Sequence, residues 1–240
     1  MADATTAPAD GEELSRLEEV RQVRLQKLRA LEAAGMRPYN DRYERTHILA
    51  DVRKVAEEQE SDAPETGTLA SVAGRVMMQR VFGKLVFVQL QDGSGRCQVV
   101  LDTGVVGAEA VEQFLAFVDL GDHVGFEGQT GRTRKGEPSV WASGWTFLSK
   151  SLLPLPEKWS GLADLETRQR ERYLDHVSNP ASRERFRLRS RFVKELRRYL
   201  DDRGFEEVDT PILQTKVTGA LAKPFVTHHN AMDMRCVLRI

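Results

Sequence analysis

Between Ser71 and Ser149 the chain abandons helical spacing for alternation, and this switch constrains the fold more than any other feature of its 240 residues. The stretches "SVAGRVMMQRVF", "KLVFVQLQD", "RCQVVLD", "HVGFEGQTG" and "SVWASGWTFLS" read with a period of two. That is the period of a strand, whose successive side chains point to opposite faces. A helical "AEAVEQFLAFV" stands between the third stretch and the fourth. The expected order is three strands, a helix and two strands.

Five short strands with a helix after the third describe the oligonucleotide-binding (OB) barrel, although other small barrels accommodate similar spacing. In the second strand Val86, Val88 and Leu90 share one face, while Leu85, Phe87 and Gln89 share the other. A small barrel has one interior, so Phe87 is left outside unless something covers it. An exposed ring there can stack on a base, worth about 1 to 3 kcal/mol and nearly blind to sequence. Specificity would then come from polar neighbours such as Gln98 on strand three, whose carboxamide offers the donor and acceptor that match a uridine edge. The competing reading packs Phe87 beneath the N-terminal helix or an adjoining domain.

Residues 1–10 are acidic, with neither a basic start nor an apolar stretch, and read as a disordered tail and not a leader. Residues 11–65 form a helical region. Leu14, Leu17, Val20, Leu28 and Leu31 recur at helical spacing up to Ala34, and a shorter helix spans Leu49 to Glu58 before the polar linker "EQESDAPETG". Arg21, Arg24, Lys27 and Arg29 of the first helix could meet phosphates, but a solvated charged face is the simpler expectation. The barrel domain is assigned to residues 66–150. Thirty-five basic and 36 acidic residues leave a net charge of -1, so any basic surface must be local. No apolar run is long enough for a membrane span. Cys97 and Cys236, far apart, indicate neither a zinc site nor a disulfide framework, which fits a reducing, cytoplasmic setting. "DGSGR" at Asp92 to Arg96 lacks a Lys-Ser/Thr ending and joins two strands, so it reads as a hairpin turn and not a phosphate loop. His228 and His229 are neighbours that a strand would point to opposite faces, so no metal site is assigned.

The local basic surface falls between Glu166 and Arg203, where 12 Arg or Lys face 7 Asp or Glu. Residues 151–178 read as a hinge. Asn179 and Pro180 form an N-cap and first-turn pair for a helix of about five turns that runs through Phe186, Val193, Leu196, Tyr199 and Leu200 to a stop at Gly204. A strand at "FEEV" is expected next. Pro211 cannot donate to a ladder and so marks an edge or an interface.

The segment "RGFEEVDTPIL" behind that helix resembles motif 1 of the class II aminoacyl-tRNA synthetases, the helix and strand through which those enzymes dimerise. The longer run "RQRERYLDHVSNPASRERFRLRSRFVKELRRYLDDRGFEEVDTPIL" is similar to the lysine, aspartate and asparagine branch, whose N-terminal OB domain binds the anticodon. "GKLVFVQLQDGSGRCQ", "LLPLPEKWSGLADLETRQRERYLD" and "AKPFVTHHNAMDM" resemble the lysyl members in particular, and the likeness extends from the first helix to Ile240. It implies an α+β fold in which a helix and a five-stranded OB barrel precede, over residues 179–240, the start of an antiparallel α/β catalytic domain.

The resemblance also implies roles. Phe87 matches the stacking phenylalanine and Gln98 the uridine-reading glutamine, with Arg80 in "MQRVFGK" and Glu137 in "KGEPSV" as further anticodon-loop contacts. Phe205, Val208 and Pro211 fall in the dimer interface. Gly219 and Ala220 fall in the loop that closes over the amino acid, where Val217, Thr218 and Lys223 replace the family's proline, glycine and arginine. A β-branched residue resists the positive φ that glycine allows. The family's reaction joins lysine to tRNA(Lys) through an adenylate made from ATP with Mg2+. Motifs 2 and 3, which hold ATP, find no counterpart in these residues. The expectation is therefore that they supply anticodon binding and dimerisation and do not form lysyl-adenylate by themselves. The alternatives are a stand-alone OB-fold RNA-binding protein, a general single-strand binder, and part of an aspartyl or asparaginyl enzyme.

Overall fold

A computed structural model describes residues 10–59, 67–156, 162, 164–217, 219 and 221–240. The expected tail, apart from Asp10, and most of the linker lie outside the described residues. The chain divides into two compact units, Met1–Ser160 and Gly161–Ile240. Among the described residues no helix is long and apolar enough to cross a membrane.

In the first unit helices α1 (Asp10–Ala33) and α2 (Leu49–Glu57) precede strands β1 (Leu69–Phe82), β2 (Leu85–Gln91) and β3 (Arg96–Asp102). The short α3 (Thr103–Val106) and α4 (Ala108–Phe117) follow, then β4 (His123–Arg132) and β5 (Pro138–Ser149). The strands close into a barrel in the order β1-β2-β3-β5-β4, with β3 and β5 parallel and the other pairs antiparallel. Val72, Val76, Val86, Val88, Leu90, Val99, Leu101, Val124 and Phe126 fill its interior. From α4, Phe114 reaches that core, 5.8 Å from the Phe126 ring centroid and edge-on to Trp145 at 5.3 Å.

Two glycines answer to local geometry. Gly83 opens the two-residue turn between β1 and β2 with a φ of 58°, where a tight hairpin calls for a residue without a Cβ. At the β4 irregularity beside Glu127, a Cβ on Gly128 would lie 2.0 Å from the Trp141 carbonyl oxygen, so the two backbones approach as only glycine permits.

Helix α2 is capped from a distance. Its N-cap Ile48 has no side-chain acceptor, and Asp92 and Ser94 of the β2–β3 turn serve instead, Asp92 Oδ2 accepting from Leu49 N at 3.1 Å and Ser94 Oγ from Ala50 N at 3.0 Å. Asp92 Oδ1 also accepts from Ser94 N and Gly95 N, at 2.7 and 2.9 Å. Burial acts to raise the Asp92 carboxyl, but the bonds from Ser94, Leu49 and Gly95 outweigh it and hold it below the usual range. "DGSGR" is thus a turn that organises its own surroundings.

The basic residues of α1 do not all face solvent. Arg24 is only 7% exposed and donates to the backbone oxygens of Ser151 (2.7 Å), Leu153 (3.0 Å) and Leu120 (3.0 Å), while Lys27 pairs with Asp119 at 2.6 Å. Both expectations for Arg24 and Lys27, solvated or phosphate-facing, give way to packing, because long side chains can turn back along a helix to orphan carbonyls. Beneath them Lys150, fully buried, donates to Phe117 O, Asp119 Oδ2 and Asp122 Oδ2, each at 2.7 Å. Asp122, equally buried, also accepts from Asp119 N and Ser151 N.

In the second unit α5 (Leu165–Arg170), α6 (Arg172–Ser178) and α7 (Pro180–Asp201) surround buried Asp175. Its carboxylate accepts from Arg168 Nε (2.9 Å), Arg172 Nη1 (3.2 Å) and Ser182 Oγ. Burial would raise this carboxyl, yet the bonds from Ser182 and Arg168, with the arginine charges, bring it to about 2. The expected hinge at 151–178 is therefore helical over much of its second half. The Asn179 side chain accepts from Ala181 N and Ser182 N, as an N-cap should, and α7 has 22 residues, about a turn more than expected. Strands β6 (Leu213–Gln214), β7 (Val226–His229) and β8 (Met234–Leu238) form a sheet in the order β6-β8-β7.

No strand forms at "FEEV". Residues 205–212 are exposed without regular structure, and ladder pairing begins only at Leu213. A strand exists through its partner's hydrogen bonds, and among the described residues no strand pairs with Phe205–Val208; the first backbone bond from the sheet side reaches Ile212 O, from Arg239 N at 2.9 Å, and Pro211 itself lacks an N–H to offer.

Candidate nucleic-acid interface

Register places the expected RNA contacts on one outer surface. Across β1, β2, β3 and β5 the Cα partners Arg80↔Phe87, Phe87↔Val100 and Val100↔Trp141 form one row. Met78↔Gln89, Gln89↔Gln98 and Gln98↔Ser139 form the next, two residues along. Glu137 lies two residues before Ser139 on β5's approach, on the same side again. Rows two residues apart are separated by roughly 7 Å. Arg80, Phe87, Gln98 and Glu137 thus occupy three successive rows.

Phe87 is half-buried, whereas its neighbours Val86 and Val88 are fully inside the barrel, at 1% and 0% exposure. Gln98 Nε2 donates to Ser139 Oγ at 2.9 Å, and that hydroxyl donates to Glu137 O at 3.0 Å. One amide hydrogen is therefore fixed, which orients the carboxamide and leaves its second hydrogen beside its carbonyl oxygen. Arg80 is exposed, and among the described residues its guanidinium makes no hydrogen bond or ion pair. Glu137 is half-exposed and lies 3.7 Å from Arg53 Nη1, which reaches over from α2. Sequence reasoning missed Arg53 and Ser139 because both act through tertiary contacts. Ser139 had one visible signal, its alternation with Glu137 and Trp141 at the start of a strand.

The second unit brings fewer of its expected residues together. Gly219 has a φ of 114°, the conformation for which glycine is suited, whereas Ala220 and Thr218 lie outside the described residues. Val217 is exposed and does not adopt positive φ. His229 Nδ1 accepts from Met232 N, and His228 lies 3.1 Å from Asp233, so the two rings engage different partners. Phe205 (62% exposed), Val208 (72%) and Pro211 lie in the irregular segment. On α7 Leu188, Phe192, Leu196 and Tyr199 form an exposed apolar stripe at helical spacing.

A closed five-stranded barrel with this face is an OB fold, and residues 70–148 match the family described as OB-fold nucleic acid binding domain. Residues 164–240 match the family described as tRNA synthetases class II (D, K and N). The chain thus joins an OB-fold barrel to a segment similar to the class II synthetases.

More particularly, it is homologous to lysine–tRNA ligases. It is 45% identical over 227 residues to the lysine–tRNA ligase of Thermosynechococcus vestitus, covering 92% of this chain and 44% of that one. Against that of Prochlorococcus marinus it is 46% identical over 236 residues, 95% and 46% of the two chains. Against that of Carboxydothermus hydrogenoformans it is 44% identical over 224 residues, 93% and 44%. The chain spans about half the length of these curated relatives.

Proposed function

We propose that this chain serves lysine–tRNA ligation in the cytoplasm by binding the anticodon loop of tRNA(Lys) through its barrel and by dimerising through α7 and the segment after it. The observation that carries the reading is the alignment of Arg80, Phe87, Gln98 and Glu137 on successive rows of one outer face. In this reading Phe87 supplies a stacking platform. Gln98, held by Ser139, pairs with a uridine edge. Arg80 meets backbone phosphate, and the Arg53–Glu137 pair borders the far end of the loop. The exposed apolar stripe on α7, with Phe205 and Val208, supports a homodimer contact, since exposed apolar patches of this extent mark interaction surfaces.

Lysine, ATP and Mg2+ belong to the complete ligase's reaction. Among the described residues no group of three or more His, Cys, Asp or Glu side chains could hold a metal ion. The role proposed for the barrel, selecting and orienting the tRNA, runs through neither ATP nor metal.

The test is a filter-binding titration with an anticodon stem-loop RNA. Phe87→Ala should cost about 1 to 3 kcal/mol of affinity, and Gln98→Ala should remove the preference for uridine while keeping most of the binding. Log affinity should fall as salt rises, because bound phosphates release counterions. Unchanged affinity and preference in both variants would refute the reading. Equal binding of uridine-rich and unrelated strands by the unsubstituted chain would favour a general single-strand binder.

A further inference from the structure

At the tip of the β1–β2 hairpin Phe82 is 78% exposed, the most exposed aromatic ring on the barrel. A single exposed ring is ordinary on a protein surface, but this one continues the outer row that carries Phe87, and an exposed apolar face of that kind marks a contact surface. Its orientation follows from register. Phe82 pairs with Leu85 and Arg80 with Phe87, with no irregularity between them, so Phe82, Arg80, Leu85 and Phe87 all project from the outer face. Phe82 is the diagonal neighbour of Phe87, roughly 7 to 8 Å away between Cα atoms. That distance gives each ring its own base while keeping both within reach of consecutive nucleotides.

The surroundings are cationic. Arg80 and Lys84 flank the ring, both exposed, and neither side chain has a partner among the described residues. The nearest carboxylate on this row belongs to Asp102, which is engaged in capping α3 by accepting from Gly104 N at 2.8 Å. An aromatic ring between two free cations, continuous with a stacking face, fits single-stranded RNA better than an apolar protein surface.

We infer that Phe82 is a second stacking platform, which takes the nucleotide adjacent to the one on Phe87, on the side away from Gln98 and Glu137. This extends the proposed anticodon face by one row and rests on that reading. It assigns the hairpin tip a role in holding a neighbouring base of the loop, with Arg80 and Lys84 on the phosphates that flank it.

The experiment uses the full 240-residue chain and an anticodon stem-loop RNA with a uridine-rich anticodon. Phe82→Ala should weaken binding roughly 5- to 150-fold, the range expected for one lost stack, and Phe82→Trp should retain it. An abasic substitution at one loop position should abolish the further effect of Phe82→Ala, and that position should neighbour the one so coupled to Phe87→Ala. If Phe87→Ala weakens binding while Phe82→Ala does not, the inference is overturned and the anticodon face stands. If neither does, both fall. Unchanged RNA affinity with an altered sedimentation coefficient in Phe82→Ala would assign the ring to a protein contact and overturn the inference. Because the ring is exposed, a thermal melt should show each variant folded, which keeps loss of binding separate from loss of structure.

Discussion

Replacing Lys150 with methionine should show how strongly the N-terminal helix is locked to the barrel. The Lys150 ammonium is fully buried and bonded to Phe117 O, Asp119 and Asp122, all at 2.7 Å. Methionine fills similar volume but leaves the Asp122 carboxylate, itself fully buried, without a counter-charge. Breaking one side of such a pair typically costs about 3 to 5 kcal/mol. Two backbone donors, Asp119 N and Ser151 N, remain on Asp122, so the lower end, about 3 kcal/mol, applies. For a unit of this size that is a fall in Tm of roughly 6 to 12 °C. Urea unfolding followed by tryptophan fluorescence would measure it, since Trp141 and Trp145 both lie on β5. Lys150→Met with Asp122→Asn should recover most of the loss, because the buried charge is then removed from both partners. A loss below about 1 kcal/mol for Lys150→Met alone, the level of an exposed pair, would refute the reasoning.

Acidity should weaken the barrel through His123, whose imidazole burial pushes down to about 4, with the Arg75 charge acting in the same direction. An unfolded histidine titrates near 6.5, so between these values the unfolded chain takes up a proton that the folded one refuses. Its contribution is whole above about pH 6.5 and is lost as pH falls toward 4, on the order of 2 kcal/mol; His123→Gln should flatten that part of a urea-midpoint profile. Phe205→Asp should change stability by no more than about 0.5 kcal/mol, because the ring is 62% exposed, yet shift the proposed dimer toward monomer in sedimentation. Persistence of the dimer would remove this segment from the interface.

Elements that depend on nearest neighbours were legible in the linear chain. Alternation located all five strands and the helix between them, and it separated inward Val86 and Val88 from outward Phe87, because side-chain direction in a strand has a fixed period of two. Asn179 and Pro180 announced the start of α7 through capping chemistry that acts over three residues. Tertiary structure alone decided the rest. Arg24 finds carbonyls 96 to 129 residues away, Lys150 meets Asp122 and Asp119 across the α4–β4 connection, and α2 takes its cap from the β2–β3 turn. "FEEV" has the composition of a strand but stays irregular, since a ladder requires a second backbone that no local pattern can supply. Periodicity states which way a residue points within its own element; whether a charge is solvated, a helix end capped or a strand paired depends on what the folded chain brings opposite it.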